Sequence, residues 1–568
     1  MSAALNPEAE APRPRPPEML MRPERLAAMQ PSRVSASRAL IAQALHEGWR
    51  ITTRRFEIDA ASFGTAIYEI ETPRGTFSFL AFSATPQRAG RTGRIIGRAW
   101  DMQGALLEGV ADAAAIEATR RELPKLYAGR AVPGTLVWCR SNRSMRVFDA
   151  VVAALAGGRQ PEPGLAAESC YLMRNTGLDG NGTFGTRSFL ALEPDHPLRH
   201  PLAAQMLCAY MMREFAADLA NHLAALASPD AVALAPEIRR FLGIGNGSAL
   251  GLILFIGNHP RLIDAWIGAR EDSIAAARAL RVTAGDARLA HLEALIRRAA
   301  TFRREDRMAY EAFAPSALIA AELEEVAGLV AALPTETPFP LDALAREVGA
   351  RFHPETEETL LSLLVELVPE VADRLTMSMV VSEETEVRPA MQAGALRAIL
   401  RRDYAWALAW NMDAPGARAQ VWYKSATAEE PRRGPRAEAP DAIDLGLDIP
   451  GLVQALDAAL AAWDPAEPVA RLLLARPDLR GIVARVQGLD GLRYHTPHAN
   501  IMADDFVPAH LVRLMNVTLH GVDKTRDYLG RNLRGVLFHG APLAAELAQG
   551  ADPDWFYPPE PRLQETRP

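Results

Sequence analysis

The sequence predicts a predominantly helical α+β protein: an N-terminal α/β unit on a mixed or antiparallel sheet, followed by a large helical region. Three observations carry this. Between Arg50 and Phe82, runs rich in Ile, Thr, Phe and Tyr are separated by turn residues, the pattern of strands. From His200 onward, segment after segment repeats apolar residues at helical spacing, with an alanine content that favours helix. The Gly/Pro-bearing stretch Gly157 to Gly164 separates the two regimes.

In chain order, residues 1–30 are Pro-rich and charged, so they are expected to form a disordered tail. A helix follows from Ser35 to about His46. Strands are expected at Arg50 to Ile58, Thr65 to Thr72 and Thr76 to Phe82, the last two joined through Pro73-Arg74-Gly75 as a hairpin. Ile95-Ile96 and Thr135 to Cys139 suggest further strands, and Asn142 to Leu155 a helix. Beyond the linker, Ala235 to Phe241 and the runs His200 to Leu226, Arg261 to Leu280, Asp286 to Ala300, Pro315 to Ala332 and Thr356 to Leu367 read as helices. Val380 to Val387 and Ala419 to Lys424 read as strands, Ala390 to Asn411 as a helix, and Thr427 to Pro440 as a charged loop. Helices are expected at Gly451 to Trp463, Val469 to Leu474 and Pro508 to Leu529, with an irregular end from Pro553. This gives units at 31–160, 165–412 and 413–568 after the tail.

Size and composition narrow the function classes. The chain has 568 residues, 49% of them apolar and 23% charged, which suits a globular protein with a large core. A net charge of -7 argues against a general nucleic-acid binder, which needs a basic face to neutralise phosphates. Apolar runs are too short for a membrane span, and residues 1–30 hold no apolar signal region. Cys139, Cys170 and Cys208 are far apart and form no zinc spacing, as expected for buried thiols in a reducing, cytoplasmic setting.

Five places could carry chemistry. The first runs from Tyr171 to Arg187: a strand leading into a loop with Gly177, Gly180, Gly182 and Gly185. Arg174 and Arg187 flank it and Asn181 lies inside it. Glycines let backbone N–H groups approach a ligand, and an arginine fork suits carboxylate or phosphate. The second is Gly243 to Gly251, followed by Asn258-His259-Pro260. Asn246 or Ser248 and then Asn258 are candidate helix caps beside anion-binding N-termini, although the dinucleotide fingerprint is absent. The third holds His495, His498, Asp504, Asp505 and His510, the densest metal-capable set in the chain; Pro497 interrupts any helix and no zinc-protease spacing is present, which favours a general acid/base role for one histidine, helped by Asp504 or Asp505, over a metal site. The fourth is Trp138 to Arg146, where Arg140, Arg143 and Arg146 surround a strand-to-helix junction. The fifth, Trp422 to Gly434, places Tyr423 and Lys424 at a strand end before a charged loop. Each also has a plain structural reading, as turn, cap or solvated edge.

Together these features favour an enzyme, a hydrolase or lyase, acting on a small anionic metabolite by acid/base chemistry. Arg143 and Arg174 would clamp the anion, and Asn181, Asn246 and Asn258 would orient it. His498, aided by Asp505, and His259 would handle protons. No cofactor or metal is identified, and neither a nucleic-acid nor a membrane partner is expected; self-association stays open. A non-catalytic helical scaffold or ligand sensor is the alternative, and a flavin- or nicotinamide-dependent redox enzyme a further one.

Overall fold

Pro73 and Arg74 form the two-residue tip of a hairpin whose register pairs Thr72 with Gly75. From it grows the main sheet of the computed structural model. The structure describes residues 11–84, 100–123, 134–178, 192–246 except 194, 260–305 except 284, 314–379 except 334–336, and 387–411. It also describes 422–425, 431–433, 442–444, 449–494, and 514–561 except 523, 528–532 and 551–554. The sheet contains β1 (Arg50–Ile58), β2 (Gly64–Thr72), β3 (Gly75–Ser83), β4 (Met102–Glu108), β5 (Thr135–Arg143), β6 (Tyr171–Leu178) and β7 (Gly243–Asn246). Two late strands, Leu533–Leu537 and Lys524–Asp527, complete nine strands in the order β1 to β7 and then those two. Neighbours are antiparallel except β6 and β7, which are parallel. The sheet is therefore mixed, and the protein is α+β and mostly helical.

The strands obey a period of two. Ala66, Tyr68, Ile70, Phe77, Phe79 and Leu106 point into the large core, while Ile67, Leu80, Ala105, Leu107 and Trp138 point into a smaller cluster. The helix Ala113–Glu122 covers that second face, capped by the Asp112 carboxylate on the Ala115 N–H. Such double burial explains why β4 does not alternate visibly in sequence: both of its faces are dry.

The large core centres on the helix Ala203–Ala227, which packs on the sheet from β3 to β7 and on the helices Phe148–Ala156 and Ala36–His46. Residues Ala203 to Ala217 are all buried, so this stretch is enclosed on every side. The same core continues into the helices Pro260–Arg278, Ala287–Glu305, Ser316–Ala331, Leu341–Arg351, Pro354–Leu364 and Pro369–Met377. A separate core, built on Leu396, Leu400, Leu456, Leu472, Ile482 and Val486, holds together the helices between Ala393 and Leu489. No helix of the described residues is long and apolar enough to cross a membrane. Cys139, Cys170 and Cys208 are buried thiols.

Several expectations are corrected. Residues 11–30 are ordered: Pro17–Leu20 and Pro23–Ala28 are short helices, and Leu20, Met21, Leu26 and Met29 are fully buried against the helical region. Asn142 belongs to β5 and not to a helix, because pairing with β6 extends the strand to Arg143; the helix begins at Phe148. Asn246 ends a strand and does not cap a helix. Inside the expected loop 427–440, Pro431–Arg433 pairs with Trp422–Ser425, which also pairs with Ala442–Asp444. The expected helix 508–529 gives way to a π-helical turn, Leu514–Leu519, and the strand Lys524–Asp527. The sheet is not confined to residues 31–160, since β6, β7 and the late strands complete it. Ile95-Ile96 and residues 380–386 lie outside the described residues.

Phe215 is fully buried on the long helix, 6.1 Å from the ring of Phe56. Phe215→Ala is expected to lower stability by about 3–5 kcal/mol, read as a lower urea midpoint.

Candidate functional site

Three of the sequence-derived candidates fall on adjacent strands at the middle of the sheet. Arg143 ends β5, Arg174 lies in β6, and Asn246 ends β7. The register fixes what they can do together. Arg143 pairs with Met173, and Asn142 with Arg174. Arg143 and Arg174 thus occupy alternating positions and project from opposite faces. The clamp of two arginines on one anion is not built here. Arg143 instead stacks on Phe148, with its guanidinium carbon 4.7 Å from the ring centroid. Its backbone N–H donates to the buried Asp101 carboxylate at 2.9 Å, while the Asn142 side-chain oxygen accepts from the Asp101 N–H at 3.1 Å. This reciprocal pair of bonds locks the entry of β4 to the exit of β5. On the other face Arg140 stacks over Trp100 at 4.0 Å.

Arg174 is half-buried and pairs with Gly245, and Asn175 pairs with Asn246. Gly245 permits this approach, because a Cβ there would stand 2.8 Å from the ring of Tyr171. Gly243 and Gly245 therefore serve close strand packing. Since β6 and β7 are parallel neighbours, the chain leaves both in the same direction. It passes into 179–191 after β6 and into 247–259 after β7, the two Gly/Asn-rich segments singled out from sequence. Asn181, Asn258, His259, His498 and Asp505 lie outside the described residues, as do His495, Asp504 and His510. Among the described residues no group of three or more His, Cys, Asp or Glu side chains is placed to hold a metal ion. A shallow surface depression of about 560 Å³ lies on the later helical unit, lined by Trp463, Glu467, Arg471 and Leu474 among others, and includes none of the candidates.

Sequence reasoning missed a polar cluster on the long helix. Glu214 and Asp218 follow one another at helical spacing. The Arg239 guanidinium donates to Glu214 at 2.7 Å and is 2.9 Å from Asp218, whose other oxygen accepts from the Tyr68 hydroxyl at 2.9 Å. Burial pushes the Asp218 carboxyl and the Tyr68 hydroxyl up from their ordinary values, and the Glu214 charge acts the same way on both; their mutual hydrogen bond raises the tyrosine further but, with Arg239, draws the aspartate back down. Arg213 donates to the carbonyls of Arg239, Arg240, Leu242, Ala541 and Pro542. The signal was present: Arg213, Glu214 and Asp218 interrupt an otherwise apolar helical repeat. With every charge matched, the cluster clamps the chain around 541–544 to the helix.

No protein-family model, no curated protein and no solved structure matches the chain.

One histidine has a defined electrostatic consequence. His200 is fully buried, its Nε2 lies 3.1 Å from the Gln43 side-chain oxygen, and burial pushes it down to about 4. Its neutral form is the folded one. The stability this contributes is present above the ordinary histidine range near 6.5 and is lost as pH falls through 4. The full loss is on the order of 3 kcal/mol. Urea midpoints measured between pH 7 and 4 should fall steadily, and His200→Gln should flatten that dependence.

Proposed function

We propose that the chain is an enzyme that binds a small carboxylate- or phosphate-bearing molecule at the carboxyl ends of β6 and β7 and acts on it by acid/base chemistry. The observation that carries this reading is the parallel pairing of β6 with β7. It sets the carboxyl ends of the two strands that precede the Gly/Asn-rich segments side by side, with the half-buried Arg174 one strand from Asn246. Ligands of mixed sheets gather beyond the carboxyl ends of parallel strands, where loops converge on a rigid support. In this reading Arg174 carries the charge recognition, without Arg143, which its face assigns to packing. Asn181, Asn246 and Asn258 orient the ligand through amide hydrogen bonds. His498, assisted by Asp505, moves the proton of a hydrolysis or elimination, and His259 is the second proton-transfer candidate.

A second reading, a non-catalytic scaffold, is favoured by Leu474, which is 85% exposed beside the depression at Trp463. One experiment separates the two. A ligand that binds only the folded state raises the melting temperature, so the protein is screened against small carboxylates and phosphates. At least one should raise it, with Arg174→Ala weakening that ligand at least tenfold and Arg143→Ala, if folded, leaving it within about twofold. His498→Gln should retain binding and lose turnover of the same compound. If no small anion shifts the melting temperature, or if Arg174→Ala binds as well as the natural chain, the enzyme reading fails and the scaffold reading stands.

A further inference from the structure

Residues 11–34 lie along the helical region and meet it through arginines. Arg15 is 7% exposed, and its guanidinium engages two carboxylates at once. Its Nε and Nη2 donate to the two oxygens of Glu271 at 2.8 Å each, and its Nη1 donates to Glu358 at 2.5 Å. Glu271 belongs to the helix Pro260–Arg278 and Glu358 to the helix Pro354–Leu364, and both are fully buried. Arg270 completes the set, donating to Glu271 at 2.9 Å, to Glu358 at 2.8 Å and to the Ser362 hydroxyl at 3.0 Å. Farther along, Arg25 pairs with Glu357 and Arg33 with Asp373. Leu20, Met21, Leu26 and Met29 fill the apolar floor between these contacts, and the Tyr494 hydroxyl donates to the Arg15 carbonyl at 2.6 Å.

The segment does not hold this shape by itself. Its helices are four and six residues long, below what is stable in water, and its sequence is Pro-rich. Its order comes from docking. The groove in turn needs the segment. Without the segment and its Arg15, Glu271 and Glu358 face Arg270 alone, two carboxylates against one guanidinium. A lysine would not restore the balance of bonds, since a point ammonium cannot fork two carboxylates as a planar guanidinium does. Segment and groove therefore relate as peptide ligand and receptor, complementary in charge and joined by one chain.

We propose that this groove is a peptide-binding site selective for arginine at the Arg15 position. Residues 11–34 of the same chain fill it, and when they undock it accepts the same segment from a second copy. Exchange of an identical segment creates no new contacts and costs little beyond association, which makes it an accessible route to self-association.

The test uses the full chain carrying Arg15→Ala, which weakens its own docking, and a fluorescent synthetic peptide of residues 11–34. Fluorescence polarisation should show the natural peptide binding this variant at least tenfold more tightly than peptides carrying Arg15→Ala or Arg15→Lys. The unaltered chain, already filled, should bind the natural peptide more weakly than the variant does. Equal binding of the three peptides, or no binding to a folded variant, overturns the proposal. Native-state hydrogen exchange on the unaltered chain gives a second reading that does not depend on the variant folding. Backbone amides of residues 15–30 should exchange as one group, at least tenfold faster than those of the helices Pro260–Arg278 and Pro354–Leu364. Matching protection across segment and helices would make the segment an integral part of the fold and sink the idea.

Discussion

A guanidinium on an enclosed helix sets the terms for the rest of this structure. Arg213 is 3% exposed on an enclosed and mostly apolar stretch of helix, where its charge is matched by Glu214 at 3.0 Å. Its donors must find acceptors inside the protein, because a buried charge without partners costs several kcal/mol. It finds them in the carbonyls of 239–242 and 541–542, two stretches far apart in sequence that are held on either side of it. Through that one side chain the entry to β7 and the segment after the strand Leu533–Leu537 are fixed relative to the long helix. Those are the first two of the three strands that extend the sheet past β6.

The buried charges at the other end of the molecule follow the same logic with different parts. Glu358, fully buried between Arg15 and Arg270, is held down at about 2 despite burial, which alone would raise it. Its charged form is the folded one, so its contribution is present above the ordinary carboxylate range and disappears as pH falls through 2. His200 titrates well above that. His200, just before the long helix, therefore responds to acid before Glu358 does, because it is buried without an opposite charge to hold its ionised form.

How much was legible in the sequence depended on whether the determining contacts were local. The hairpin of β2 and β3 was readable because Thr, Ile, Tyr and Phe alternate on either side of a two-residue turn. β7 was not: Gly243-Ile-Gly-Asn246 carries no strand propensity, and becomes a strand because Tyr171–Asn175 and Gly535–Leu537 offer it backbone partners. The segment Lys524–Asp527 was read as helix for the same reason, since its partner decides its state. Residues 11–30 were read as disordered because composition cannot reveal Glu271 and Glu358. For the candidate site, three of the residues singled out by type fall on β5, β6 and β7, which the fold pairs as neighbours. They could not show that Arg143 and Arg174 face opposite ways, which is a matter of register. Arg213 and Glu214 are visible as polar breaks in an apolar repeat, but the sequence does not show that Arg239 and distant carbonyls meet them.

The pairing of Asn246 with Gly535 has a consequence for how the molecule is made. A ribosome delivers β1 to β7 long before the two late strands emerge, and until they do β7 presents an unpaired edge of backbone donors and acceptors. An open edge of this kind is a template for pairing with the wrong chain. Its closure requires contacts of high sequence separation, which are slow to form. During synthesis, therefore, seven of the nine strands exist before β7 has its partner Gly535–Leu537, an interval in which that edge is exposed to mispairing.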